Sequence, residues 1–182
     1  GYGCTAVRLT MEKQRPYFFR TAGRDDTQSE YFVKFATEVL GAKRIAIMHD
    51  NQDYGKGVAD DAMKFIQPLV DAGQVEIVYF DAITPGESDY SAVVSQIKSI
   101  NPDVWFFTAY YGEAALLLKQ AREAGVTSTF VGNNSVPTPE FVKIAGVDIV
   151  EGSIHLNEPI PQFLEYPESK EFLDAYQAKY NE

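Results

Sequence analysis

One cysteine, Cys4, stands in a chain of 182 residues, so no disulfide forms within it and a disulfide framework is excluded. That leaves the redox compartment open, because reduced and exported proteins alike do without disulfides. No apolar run approaches the roughly 18 residues that a membrane-spanning helix needs. Cations are outnumbered, 16 Lys and Arg against 26 Asp and Glu, a net charge of −10. Neutralising a phosphate backbone takes clustered Lys and Arg, so no nucleic-acid partner is expected. Histidine is scarce, with only His49 and His155, and nothing in the chain has the spacing of a three- or four-ligand metal site. There is no G-x-S-x-G elbow, and the cysteine lies far from both histidines in sequence.

What the chain does have is a strand–helix rhythm. Hydrophobic residues make up 45%, enough for one domain with a sizeable core, or one domain plus pieces of another. YFFRTAG (17–23) reads as a short β-type run. Asp25 and Gln28 form a D-x-x-Q capping-box pattern, and Phe32, Phe35, Ala36, Val39 and Leu40 then share one helical face up to Gly41. RIAIM (44–48) reads as a buried strand, followed by a helix presenting Val58, Ala62, Phe65, Ile66 and Leu69. Pro68 is expected to kink that helix or shorten it by a turn. VEIVYF (75–80), DVWFFTAYY (103–111), TFVG (129–132) and EGSIHL (151–156) read as further strands. Helices marked by Val93, Val94 and Ile97, by Ala114, Leu117, Leu118 and Ala121, and by PTPEFVKIAG lie between them. A Pro-rich link, EPIPQFLEYPE, leads to a closing helix over 168–180. Apolar strands alternating with helices predict an α/β fold, a three-layer doubly wound parallel sheet of flavodoxin-like or Rossmann-like form.

In such a sheet the ligand crevice lies at the C-terminal ends of the strands. The strands deliver His49, Asp50 and the loop to Tyr54; Asp81 and Ala82; Tyr110 and Tyr111; and Asn133 and Asn134. Tyrosines, amides and nearby carboxylates suit a small polar molecule rather than phosphoryl chemistry. Several alternatives stand side by side. Tyr54 either contacts a ligand or packs on its own helix. Tyr110 either faces the crevice or ends the buried run begun by WFF. Asn134 either binds or caps the turn before Pro137. His49 beside Asp50 imitates a base and its orienter, or is a partly buried strand-end histidine. GKG (55–57) is half of a dinucleotide fingerprint, but Asp60 stands at its third position.

RTAGRDDTQ, RIAIMHDNQDYGKG, the run from YFDAITPGESDY to KQAREAG, and EGSIHL resemble, in order and spacing, the type I periplasmic solute-binding proteins. The similarity is greatest to the leucine/isoleucine/valine-binding group that feeds branched-chain amino-acid ABC importers. It implies a two-lobed fold that closes on its ligand. Residues 22–157 would be the second lobe, 1–21 the tail of the first lobe and a hinge strand, and 158–182 a return segment toward the first lobe. The chain is thus expected to be about half of such a receptor. The resemblance places Gly3, Cys4 and Thr5 at the loop that holds the ligand carboxylate. It puts Tyr54 and Tyr110 across the crevice. Asn134 stands where the family carries an acid that pairs with the ligand ammonium. An amide there cannot supply that charge-assisted bond, so either another acid such as Asp50 or Asp81 takes over, or the ligand lacks a free amine.

The function so implied is a non-enzymatic, periplasmic or extracytoplasmic solute receptor. Its partners would be an amino acid or related small carboxylate or amide, and the membrane subunits of an ABC importer. No cofactor is expected. A ligand-sensing module of a receptor or regulator, and a flavodoxin-like enzyme, are the competing readings.

Overall fold

The computed structural model describes residues 3–12, 15–159 and 161–181. Among the described residues five parallel strands form one sheet: β1 (Arg44–His49), β2 (Glu76–Ala82), β3 (Val104–Phe107), β4 (Thr129–Gly132) and β5 (Ile154–His155). Their order across the sheet is β2-β1-β3-β4-β5, the doubly wound arrangement that the sequence rhythm predicts. The described residues also form seven α-helices: α1 (Asp25–Lys34), α2 (Asp53–Asp71), α3 (Ser91–Ile100), α4 (Tyr111–Glu123), α5 (Pro139–Ala145), α6 (Val147–Val150) and α7 (Pro167–Tyr180).

Strand side chains alternate between two cores. Ile45, Ile47, Val104, Phe106 and Val131 meet Phe32 and Ala36 of the first helical segment and Val58, Ala62 and Ile66 of α2. Ala46, Met48, Trp105, Phe107 and Phe130 meet Val94 and Ile97 of α3, Leu117 and Leu118 of α4, and Phe141 of α5. All four residues of β3 are buried, each contributing about 1.5–3 kcal/mol of transfer free energy at most. Phe106 stacks on Phe32 with ring centroids 4.0 Å apart. This central strand fixes the level at which the neighbouring strands end: Met48 lies beside Phe107, Phe107 beside Gly132, and Gly132 beside His155.

Several local expectations differ from what the chain adopts. Residues 17–23 form no strand, and Tyr17 and Phe19 are exposed. Arg24, not Asp25, occupies the N-cap of α1. Asp25 is the first helical residue, and Gln28 Nε2 donates to its carboxylate at 3.3 Å. A π-helical turn over Phe35–Val39, closed by Leu40 N–H to the Phe35 carbonyl, shifts the helical phase. Val39 and Leu40 therefore turn outward instead of continuing the apolar face. Pro68 does not shorten α2, which runs on to Asp71. The turn after it closes through Ala72 N–H to the Pro68 carbonyl and Gln74 N–H to the Leu69 carbonyl. Pro68 supplies no N–H of its own, so the bond a residue-68 N–H would have made is forgone.

The strand predicted over 103–111 stops at Phe107, because Tyr110 caps α4 and Tyr111 opens it. The strand predicted over 151–156 keeps two residues. β2 is a half-exposed edge strand, not one covered on both faces. The closing helix begins one residue earlier than predicted and buries none of its described residues. Among the described residues no helix is long and apolar enough to cross a membrane.

Candidate functional site

The C-terminal edge of the sheet carries a chain of polar side chains delivered by the ends of three neighbouring strands, β1, β3 and β4. After β1 the backbone turns sharply, with Asn51 at φ 57°. Buried His49 and Asp50 serve that turn. His49 Nδ1 accepts from the Asn51 N–H at 3.0 Å, and the Asp50 carboxylate accepts from the Gln52 N–H at 3.0 Å. Burial pushes the His49 imidazole below its ordinary range, reinforced by Lys56 and opposed by Asp60, Asp50 and Asp81. With Nδ1 accepting from a backbone N–H, His49 serves the turn as a strand-end histidine.

The turn delivers Tyr54 in the first turn of α2. Its position is held from behind: the buried Thr108 hydroxyl donates to the Gly55 carbonyl at 2.8 Å. A Cβ on Gly55 would come well inside 3.0 Å of the Thr108 carbonyl oxygen and the Asp50 carboxylate, so glycine is required for α2 to start this close to β3. The Tyr54 ring lies 5.6 Å from the Tyr110 ring, tilted by 40°. Both tyrosines therefore stand on the same edge of the sheet, and Tyr110 remains 45% exposed toward the crevice.

The Tyr54 hydroxyl is fully engaged. It accepts from Asn133 Nδ2 at 3.2 Å and donates to Asn134 Oδ1 at 2.5 Å. Burial pushes its pKa up to about 12. Asn133 is fully buried, and its Oδ1 accepts from the Ser135 N–H at 3.3 Å. Asn134 Nδ2 points away from Tyr54, to both carboxylate oxygens of Glu158 at 3.3 Å.

Opposite these residues lies the segment Gly3–Ala6. Arg20 clasps it: Nη1 donates to the carbonyls of Cys4 at 3.2 Å, Thr5 at 2.7 Å and Ala6 at 3.2 Å. A second nitrogen of the same guanidinium donates to the Thr10 hydroxyl. The Asp25 N–H donates to the Thr5 carbonyl at 3.2 Å. The Thr5 hydroxyl lies against the buried Asp25 carboxyl, whose pKa is raised chiefly by burial, an effect that Thr5 and Gln28 partly offset. Cys4 is a free, exposed thiol.

The residues that the resemblance places around the ligand, Gly3, Cys4, Thr5, Tyr54, Tyr110 and Asn134, line one cavity of about 370 Å³. A neighbouring cavity of about 510 Å³, walled by Gln28, Tyr31, Phe35, Leu156 and Glu158 among others, meets it at Thr5 and Asn134. Asp81, an acid considered for the ligand ammonium, stands apart. It lies within edge strand β2 beside Met48, its carboxylate accepts from the Ala82 N–H at 2.8 Å, and it lines neither cavity. Asp50, the other acid considered, is buried in its turn. Sequence pattern gives no sign of Thr108, Arg20, Ser135 or Glu158. Each acts through a contact with residues remote in the chain or on irregular segments, where periodicity carries no signal.

A cavity edged by rings, amide groups and backbone, with no cluster of three metal-ligating side chains among the described residues, is equipped to hold a small polar molecule. Known proteins point the same way. The family model described as "Periplasmic binding protein" matches residues 2–182. The chain is 35% identical over 176 residues to the leucine-, isoleucine-, valine-, threonine-, and alanine-binding protein of Pseudomonas aeruginosa, covering 96% of this chain and 45% of that protein. It is 35% identical over 175 residues to the Leu/Ile/Val-binding protein of Escherichia coli K12, covering 96% and 46%. The crystal structure of a leucine binding protein, LivK, from Thermotoga maritima superposes with a TM-score of 0.80 at 33% identity, over 93% of this chain and 47% of that one. The chain thus spans less than half the length of the curated relatives it matches. By the extent of the family match and the identity to these relatives, the chain belongs to the periplasmic binding protein family.

Proposed function

We propose that this chain supplies one wall of the solute cleft of an extracytoplasmic receptor serving an ABC importer. The solute is a branched-chain amino acid or a related small carboxylate or amide, and the chain performs no catalysis on it. Residues 22–157 act as the second ligand-binding lobe, with 1–21 and 158–182 as the segments joining it to a first lobe. The observation that carries the reading is the convergence of Gly3–Thr5, Tyr54, Tyr110 and Asn134 on one cavity at the strand ends, in a chain whose relatives are named as amino-acid-binding proteins. Tyr54 contributes its ring face, since its hydroxyl is already committed on both its donor and its acceptor side. The Gly3–Thr5 backbone, with the Cys4 and Thr5 carbonyls turned to Arg20, is the segment from which N–H groups would reach a solute carboxylate. Closure around the solute gains affinity because only the closed state makes contacts from both walls.

Calorimetry of the native gene product containing this sequence, against leucine, isoleucine, valine and a panel of small carboxylates and amides, tests the proposal. One of these binds, and Tyr54→Ala weakens it by about 2 kcal/mol, roughly 30-fold. Binding that is indifferent to Tyr54→Ala returns Tyr54 to a packing role on α2 and removes the reading's main support.

A further inference from the structure

The hydrogen bonds around Asn134 run in one direction. The Ser135 N–H donates to Asn133 Oδ1, Asn133 Nδ2 donates to the Tyr54 oxygen, the Tyr54 hydroxyl donates to Asn134 Oδ1, and Asn134 Nδ2 donates to Glu158. This order is forced by chemistry. A carboxylate only accepts, so the amide nitrogen of Asn134 must face Glu158. The Tyr54 oxygen already receives a proton from Asn133, so its own proton goes to the Asn134 oxygen. Each bond polarises the next, and the chain ends on a negative charge.

The consequence is a defined polarity for Asn134. Its amide cannot flip without setting Oδ1 against the carboxylate and Nδ2 against a hydroxyl proton. Its Oδ1 has two lone pairs, of which Tyr54 takes one. The other remains for a donor arriving from the cavity that Asn134 lines.

Three carboxylates border the two joined cavities, Asp25, Asp53 and Glu158. Asp25 is buried beneath Thr5 and Gln28. Asp53 is paired with Arg8 at 3.1 Å. Glu158 alone is exposed without a cationic partner among the described residues. The backbone makes room for it: a Cβ on Gly23 would come within 3.2 Å of its Oε1.

We infer that Glu158, acting through Asn134, is a positioning and specificity-determining residue that makes this cleft an acceptor for the protonated amine of its solute. The inference rests on the proposed solute-receptor reading and narrows it to solutes that carry an ammonium group. The charge missing at Asn134 stands one residue behind it, in the segment that follows β5. An ammonium placed at Asn134 Oδ1 meets a neutral oxygen whose amide is polarised by a carboxylate, with that carboxylate close by.

The test compares leucine with 4-methylpentanoate, which keeps the carboxylate and side chain of leucine but lacks the amine. Both are titrated into the native gene product, Glu158→Gln and Glu158→Asp. Glu158 is exposed, and its isosteric amide leaves the fold intact, which a melting curve confirms. The expected result is a loss of about tenfold or more in leucine affinity for Glu158→Gln, partial recovery in Glu158→Asp, and 4-methylpentanoate affinity unchanged within about twofold. Equal losses for both compounds, or no loss for leucine, overturns the inference and leaves the amino-acid receptor standing. A native protein that binds 4-methylpentanoate but not leucine or any other amino acid overturns the inference together with the amino-acid reading. A solute-free measurement guards against a merely local effect. The side-chain amide resonances of Asn134 differ between the native protein and Glu158→Gln, and resonances that coincide contradict the coupling.

Discussion

The same substitution made two residues apart, Gly55→Ala and Gly57→Ala, is expected to change stability in opposite directions. Both glycines lie in the first turns of α2, and in an ordinary helix interior the change stabilises by about 0.5–1 kcal/mol. Gly57 has nothing within 4 Å of where its Cβ would stand, so that gain is realised. At Gly55 the new methyl collides with a backbone carbonyl, Thr108 O, and with the Asp50 carboxylate. The carboxylate is held by the Gln52 N–H and the carbonyl by the end of β3, so neither yields freely. Overpacking of this kind costs about 1–3 kcal/mol, and loss of the Thr108–Gly55 hydrogen bond adds about 1 kcal/mol. Set against the helix gain, Gly55→Ala loses about 1–3.5 kcal/mol while Gly57→Ala gains up to about 1 kcal/mol. Urea denaturation at constant m-value reads both. A Gly55→Ala protein as stable as the parent would refute the close approach of α2 to β3, and with it the placement of Tyr54.

Other perturbations report on different parts of the account. Phe106→Ala removes a fully buried ring stacked on Phe32 and should cost about 3–5 kcal/mol; a loss under about 1 kcal/mol by urea denaturation contradicts the core described. Burial holds both His49 and His155 below the ordinary 6.5, so acid protonates the unfolded chain first. Their contribution to stability is full above that value and is lost as pH falls through it toward the folded values. The His155→Gln protein should accordingly lose less melting temperature than the parent between about pH 7.5 and about pH 5, and an unchanged slope removes His155 as a cause. Arg20→Ala frees the carbonyls of Cys4, Thr5 and Ala6 and should raise hydrogen exchange at the backbone amides of residues 4–6; unaltered protection would show that Arg20 does not hold this segment.

The strands buried on both faces were legible in the sequence because their residue types leave little choice. IAIM, VWFF and FVG are apolar throughout and end where the register with β3 ends. The helices of the crossovers were legible for the same reason, by their spacing. What failed depends on contacts that a linear pattern does not carry. Tyr17 to Phe19 have strand-forming side chains, yet no strand forms there. Tyr110 and Tyr111 continue an apolar run, yet the cap and first turn of α4 claim them. Val39 and Leu40 follow a helical period that one π turn resets. In the site, residues placed by strand ends, Tyr54, Tyr110 and Asn134, could be picked out because crevice position follows from topology. Asp81 could not be sorted from them, since only sheet order reveals that β2 lies at the edge. Glu158 was invisible: it lies 24 residues beyond Asn134, in a Pro-rich stretch without periodicity, and reaches the site only through folding.

The most direct measurement is a crystal structure of the native gene product with the solute that binds it. The account predicts electron density for that molecule against the rings of Tyr54 and Tyr110, between Asn134 and the Gly3–Thr5 backbone. Density for a tightly bound solute anywhere else, with this edge of the sheet untouched, would contradict it.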